Sequence, residues 1–221
     1  MKKILSLLLV FVMVLSFVGC TSNQQNNQNS TQNNNQSKEA SLTIKGMIIQ
    51  LDNNSKNTVI LVEGKKEDGS TYDKARVTIN KDTKIYEKDK EISVKDLRLH
   101  MYIEVYYNGA VAESYPVQMG ADKVVVVARP AIVGNITDIT EEDGKTSIMV
   151  EGEQIEGQIS DKAKVTLDEK TEIYKNEELK EWEKLTPEDL KLNMQVVVYY
   201  DGAVATSYPA QMGANKIVII S

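Results

Sequence analysis

Few side chains in this sequence are equipped for covalent chemistry. Cys20 is the only thiol and His100 the only imidazole among 221 residues. A zinc site, a Cys–His nucleophile or a Ser–His–Asp triad needs partners that this inventory does not supply. No phosphate-cradling glycine loop is present. Carboxylates are plentiful, with 32 Asp and Glu, so a hydrolase built on two paired acids is the enzyme class that composition leaves open. Glu141-Glu142-Asp143-Gly144 lacks the alternating acid spacing of a calcium loop and reads as a solvated turn. The expectation is a non-enzymatic protein with no cofactor and no metal.

The residues that stand out belong to a segment used twice. Residues 107–123 read YNGAVAESYPVQMGADK and residues 200–216 read YDGAVATSYPAQMGANK, with 13 of 17 positions identical. Asn108-Gly109 and Asp201-Gly202 are hairpin-type turn pairs. Pro116 and Pro209 fix φ and bias the preceding tyrosine towards extended backbone. Turn chemistry does not account for Ser114, Tyr115, Gln118 and Met119, nor for Ser207, Tyr208, Gln211 and Met212. Two readings are open. In one, Tyr and Met cap a core while Ser and Gln satisfy loop backbone groups. In the other, Ser114, Tyr115, Pro116, Gln118, Met119, Ser207, Tyr208, Pro209, Gln211 and Met212 form paired binding loops, since loops on rigid scaffolds often carry function. The partner expected for such loops is a protein, peptide or glycan of the cell envelope. The alternatives are a structural spacer without a specific ligand, or a carboxylate-based enzyme acting on wall polymers.

These loops sit in a longer repeat. Ile44-Lys45-Gly46 aligns with Ile132-Val133-Gly134, Val62-Glu63-Gly64 with Val150-Glu151-Gly152, and Tyr86 with Tyr174, at an offset of 88. A five-residue insertion then raises the offset to 93. Residues 41–129 and 130–221 are thus read as two domains joined at Pro130, each of roughly 90 residues and large enough to close its own core. Within a copy, runs rich in Val, Ile, Thr and Tyr alternate with Asn, Asp and Gly, predicting strands at Leu42–Leu51, Thr58–Val62, Val77–Ile85, Tyr102–Tyr107 and Lys123–Ala128. Thr186-Pro187-Glu188-Asp189-Leu190 is a helix start, and Ser93-Val94-Lys95-Asp96-Leu97 a weaker one. Three strands, a short helix and two strands is the order of an OB-like five-stranded β-barrel. The fold class expected is mainly β, as two tandem barrels of this kind. In the insertion, Leu179, Trp182 and Leu185 recur at helical spacing, predicting a surface helix over the second barrel.

The YNG/YDG turn followed by SYPxQ resembles the signature of the uncharacterised DUF3221, or YobA-like, domains of Gram-positive bacteria. The resemblance covers both copies and implies a small β-barrel in a secreted or lipoprotein setting, with no assigned activity. The family often has Gly after the short helix, where this chain has His100 and Asn193. Asn terminates helices well in the left-handed region. His does so less well, which predicts strain at His100.

The N-terminus supplies the address. Lys2 and Lys3 precede an apolar run, Ile4–Val18, broken only by Ser6 and Ser16. It is shorter than the roughly 20 residues a spanning helix needs, so residues 1–19 read as a signal peptide. The run ends in LSFVGC, which resembles the lipobox of bacterial lipoproteins, with Cys20 lipidated (palmitate-type acylation) as the membrane anchor. Phe17 is an unusual residue in that motif. Thr21–Ser37 contains only Asn, Gln, Ser and Thr. With nothing apolar to bury, residues 20–40 read as a disordered tether with a reach on the order of 20–25 Å. The localisation expected is the outer face of the cytoplasmic membrane. Without the signal peptide, 24 basic side chains face 32 acidic ones, a balance of −8. Nucleic acid needs a basic groove, and none is apparent.

Overall fold

The structure is a computed structural model that describes residues 40–54, 57–66, 69–176, 182–200 and 202–221. It is mainly β. The first copy contributes β1 (Ser41–Asn53), β2 (Thr58–Glu63), β3 (Lys74–Ile79), β4 (Lys84–Glu87), β5 (Lys90–Glu91), β6 (Tyr102–Tyr107), β7 (Val117–Gly120) and β8 (Lys123–Ala128). The second contributes β9 (Ile132–Glu142), β10 (Lys145–Glu151), β11 (Lys162–Thr166), β12 (Glu172–Lys175), β13 (Glu183–Leu185), β14 (Gln195–Tyr199), β15 (Ala210–Gly213) and β16 (Lys216–Ile219). Each set forms an eight-stranded sheet, and the strand orders correspond: β5-β4-β8-β6-β1-β2-β3-β7 and β13-β12-β16-β14-β9-β10-β11-β15.

This corrects the expectation of closed five-stranded barrels. The hydrogen-bonded order is open, one expected strand is split in two, and a further strand lies at Val117–Gly120, outside the expected runs. The stretch from Val77 to Ile85 breaks because Asn80 Oδ1 accepts from the Asp82 amide at 2.8 Å and Thr83 Oγ1 from the Asn80 amide at 3.1 Å. These local bonds outcompete ladder bonds for the same backbone groups. Thr83 Oγ1 also donates to the Ala121 carbonyl at 2.7 Å, where β7 gives way to β8. One threonine thus joins the two breaks. β3 pairs with β7, and β4 with β8, both in parallel. The second copy repeats the device with Asp168, Thr171 and Ala214.

The expected short helices are three-residue 3₁₀ turns, Val94–Asp96 and Pro187–Asp189. Their caps follow the sequence: the Ser93 amide donates to Asp96 Oδ2 at 2.8 Å and the Thr186 amide to Asp189 Oδ2 at 2.9 Å. They stop after one turn because Leu97 and Leu190 adopt extended backbone and drop into the cores. The next turn carries His100 (φ 64°) and Asn193 (φ 68°), both in the left-handed region. Their amides donate to Ile48 and Ile136 carbonyls at 2.9 and 2.8 Å, hooking the turn onto the first strand of each copy.

Each sheet wraps its own apolar core. Ile44, Ile60, Val77, Ile103 and Val124 are among the buried residues of the first. Ile132, Ile148, Val165, Val196 and Ile217 belong to the second. A third cluster joins the copies: Met47 and Tyr102 pack with Val133, Tyr174, Trp182, Val197, Tyr199 and Val218. Trp182 is therefore an interface residue. The surface helix expected around it is corrected as well, because Glu183–Leu185 is a strand paired with β12. Leu179 lies outside the described residues. An aromatic side chain of this size finds more apolar area between two sheets than over one charged surface.

Candidate functional site

The two Ser-Tyr-Pro loops share one hydrogen-bonded frame. In the first, Ala112 forms an isolated bridge with Gln118, and its amide donates to the Gln118 carbonyl at 2.9 Å. Ser114 Oγ donates to the Pro116 carbonyl at 2.8 Å and accepts from Gln118 Nε2 at 3.4 Å. In the second, Ala205 bridges Gln211. Ser207 Oγ donates to the Pro209 carbonyl at 2.8 Å and accepts from Gln211 Nε2 at 3.3 Å. Tyr115–Pro116 and Tyr208–Pro209 are cis in both. The loops are anchored below by Val111 and Val204, which pack against the two cores.

Ten residues share the repeated segment, but the structure gives them three different places. Met119 and Met212 are buried core residues on the edge strands β7 and β15. Ser114, Pro116, Gln118, Ser207, Pro209 and Gln211 build the frame. Tyr115 and Tyr208 project from it, with 58% and 72% of their surface exposed. The same ring is left largely in solvent at the same place in both copies, and the packing of the two cores does not account for it.

Asp73 and Asp161, which the sequence reading passed over, sit beside the tyrosines. Tyr115 Oη lies 3.5 Å from Asp73 Oδ2, and Tyr208 Oη 3.5 Å from Asp161 Oδ2. Partial burial, then the Asp73 and Glu63 charges, raise the Tyr115 hydroxyl above its ordinary range. The signal was available: Asp73-Lys74-Ala75 and Asp161-Lys162-Ala163 are identical in the two copies. Lys74 is paired with Glu63 at 3.2 Å in a nearly dry setting, and Lys162 with Glu151 at 2.5 Å in a wetter one.

One further crevice lies at the joint of the copies, lined by Leu99, His100, Pro130 and Ile155 among others. Its two arginines are already engaged. Arg98 pairs with Glu156 at 3.1 Å, and Arg129 with Glu87 through two bonds of 2.6 and 3.0 Å. Glu141, Glu142, Asp143 and Gly144 form the β9–β10 hairpin, with positive φ at Asp143 and Gly144. Among the described residues no group of three His, Cys, Asp or Glu is placed to hold a metal ion, and no helix is long and apolar enough to cross a membrane. Cys20 lies outside the described residues.

No solved structure matches this chain. A protein of Brevibacillus choshinensis named "Protease inhibitor" is 32% identical over 149 residues, covering 64% of this chain and 44% of that protein. The chain thus spans less than half the length of this relative. The family described as "Protein of unknown function (DUF3221)" matches at residues 45–128 and again at 139–221. The chain belongs to the DUF3221 family, with two copies of its domain in tandem.

Proposed function

We propose that this chain is a cell-envelope binding protein whose paired loops engage a protease and block it without chemistry of their own. The observation that carries the reading is the exposed tyrosine held at the same place on the same bonded frame in each copy. A loop ordered before binding loses little conformational entropy on binding. An exposed aromatic on such a loop is a ready anchor for a partner's pocket. The name of the Brevibacillus choshinensis relative supports a protease as that partner.

The remaining parts of the reading concern placement. Residues 1–19 act as the signal peptide, Cys20 carries the lipid, and residues 20–40 tether the folded copies, 41–129 and 130–221, at the outer face of the membrane. Each copy is OB-like in connectivity. In support, β7 and β8 are separated only by Ala121 and Asp122, yet pair with β3 and β4 in parallel towards opposite ends of the open order.

The test adds the full-length chain to a panel of secreted endopeptidases of serine, cysteine and metal type and follows peptide cleavage. Stoichiometric loss of one class's activity is expected. If every member cleaves at its normal rate, the protease reading is wrong and a spacer without ligand takes its place. Metabolic labelling with a palmitate analogue tests the anchor: label is expected on the wild type and absent from Cys20→Ser.

A further inference from the structure

We infer that Tyr115 and Tyr208 enter the primary specificity pocket of the bound protease, and that this pocket is one that accepts an aromatic side chain. The inference rests on the protease-binding reading and names the class of partner for the same loops.

The loops offer little else to such a pocket. Between Asn108 and Pro116, and between Asp201 and Pro209, there is no Lys or Arg, so a pocket that selects a cation has nothing to hold. Val111 and Val204 are committed to the cores. Glu113 has Thr206 as its counterpart, so it is not a shared feature. Tyrosine is the largest side chain in each loop and is the one left projecting. Burying an aromatic ring removes on the order of 150–250 Å² from water, and interface energy concentrates in a few anchors of this kind.

The free protein restrains these rings weakly. Each hydroxyl makes one bond of 3.5 Å to an aspartate, at the limit of useful geometry. Giving it up on entering a pocket therefore costs little. The Ser–Gln frame does not involve the phenol ring and stays in place while the ring is removed from solvent.

The experiment compares chymotrypsin, which accepts aromatic side chains, with trypsin, which accepts cationic ones, using the full-length chain. Wild type is expected to slow chymotrypsin and leave trypsin unaffected at the same concentration. The Tyr115→Ala/Tyr208→Ala variant is expected to raise the chymotrypsin inhibition constant by about 30-fold or more. The Tyr115→Phe/Tyr208→Phe variant keeps the ring and should remain within about threefold of wild type. The Tyr115→Arg/Tyr208→Arg variant should gain inhibition of trypsin. Circular dichroism confirms that each variant is folded, and the Phe and Arg variants decide the matter if the Ala variant unfolds. Undiminished chymotrypsin inhibition by the folded Ala variant overturns this inference and leaves protease binding standing. So does wild-type inhibition confined to trypsin. A wild type that slows neither these enzymes nor any other endopeptidase overturns both readings.

Discussion

Among single residues, His100 carries the clearest conflict between side chain and backbone. Its φ of 64° suits Gly or Asn, and the matching position of the second copy holds Asn193 at φ 68°. A residue with a Cβ in this region costs about 1–2 kcal/mol, less for Asn, whose short amide bonds locally. His100→Asn is therefore expected to stabilise the protein by about 0.5–1 kcal/mol, read as a higher urea midpoint at pH 8. Burial also lowers the pKa of His100 below its ordinary value. The sign follows from linkage. The unfolded chain takes up a proton near the ordinary pKa of about 6.5 while the folded chain resists it. This contribution is present in full above that pH and is lost as the pH falls through 6.5 towards the lower folded value. Urea midpoints at pH 7.5 and 5.5 should thus differ more for wild type than for His100→Asn. An equal pH response in both proteins would remove His100 from the account.

At the scale of elements, the first two strands of each copy cross at a pair of glycines. A Cβ on Gly46 would overlap the Glu63 carbonyl, and one on Gly64 the Lys45 carbonyl. Gly134 and Gly152 meet Glu151 and Val133 in the same way. The obstacle is backbone, which cannot rotate aside as a side chain would. Gly46→Ala and Gly134→Ala should each cost about 3 kcal/mol, measured as a loss of thermal stability, whereas Gly144→Ala meets no neighbouring atom and suffers only from its φ of 72°. These glycines were legible as the repeated IKG/VEG and IVG/VEG triplets, although their reason was not. Strand positions were legible too, because alternation of Val, Ile and Tyr with polar residues is a local signal: β1, β2, β6 and β8 lie within one or two residues of the expected runs. The splitting of the third expected strand was hidden, because it depends on Thr83 reaching a carbonyl 38 positions away. For the same reason Val117–Gly120 read as loop, although it is a strand that buries Met119. Internal identity singled out the segment but could not separate Met119, held by the core, from Tyr115, left in solvent.

For the whole molecule, differences between the copies say more than their likeness. The buried face of the second copy carries Val133, Val197 and Tyr199. Their counterparts in the first are Lys45, Glu104 and Tyr106. There Lys45 pairs with Glu104 at 3.2 Å, Tyr106 Oη donates to Glu104 at 2.7 Å, and Lys123 lies 4.0 Å from the Tyr106 ring. That bond and the carboxylate's charge push the Tyr106 hydroxyl up to about 12. Met47 and Tyr102, which receive the second copy, are matched there by Asn135 and Gln195. Lys45 and Glu104 stand beside Met47 and Tyr102 on one sheet face, as Val133 and Val197 stand beside Asn135 and Gln195, so the copies meet through corresponding faces with the apolar and polar positions exchanged. Tyr199 fastens the contact by donating to the His100 carbonyl at 2.7 Å. Val197→Glu restores the first copy's residue and should separate the copies without unfolding them. The single tryptophan, Trp182, is the reporter: its emission should shift to the red while the strand signal in circular dichroism persists. The loops take no part in this contact cluster, so each is expected to hold its own protease, two per chain, falling to one in Tyr115→Ala or Tyr208→Ala. The two sites should differ in strength. In the first copy Tyr107 packs against Gly109 and Gly120, and the Asn108 amide donates to Asp122 Oδ2 at 3.0 Å. A Cβ placed on Gly202 would meet no neighbouring atom, so Tyr200 does not pack there as Tyr107 packs on Gly109. A braced loop loses less entropy on binding, so titration with active protease should resolve a tighter site that disappears with Tyr115→Ala and a weaker one that disappears with Tyr208→Ala. Two equal sites would mean that the Tyr107 brace has no bearing on affinity.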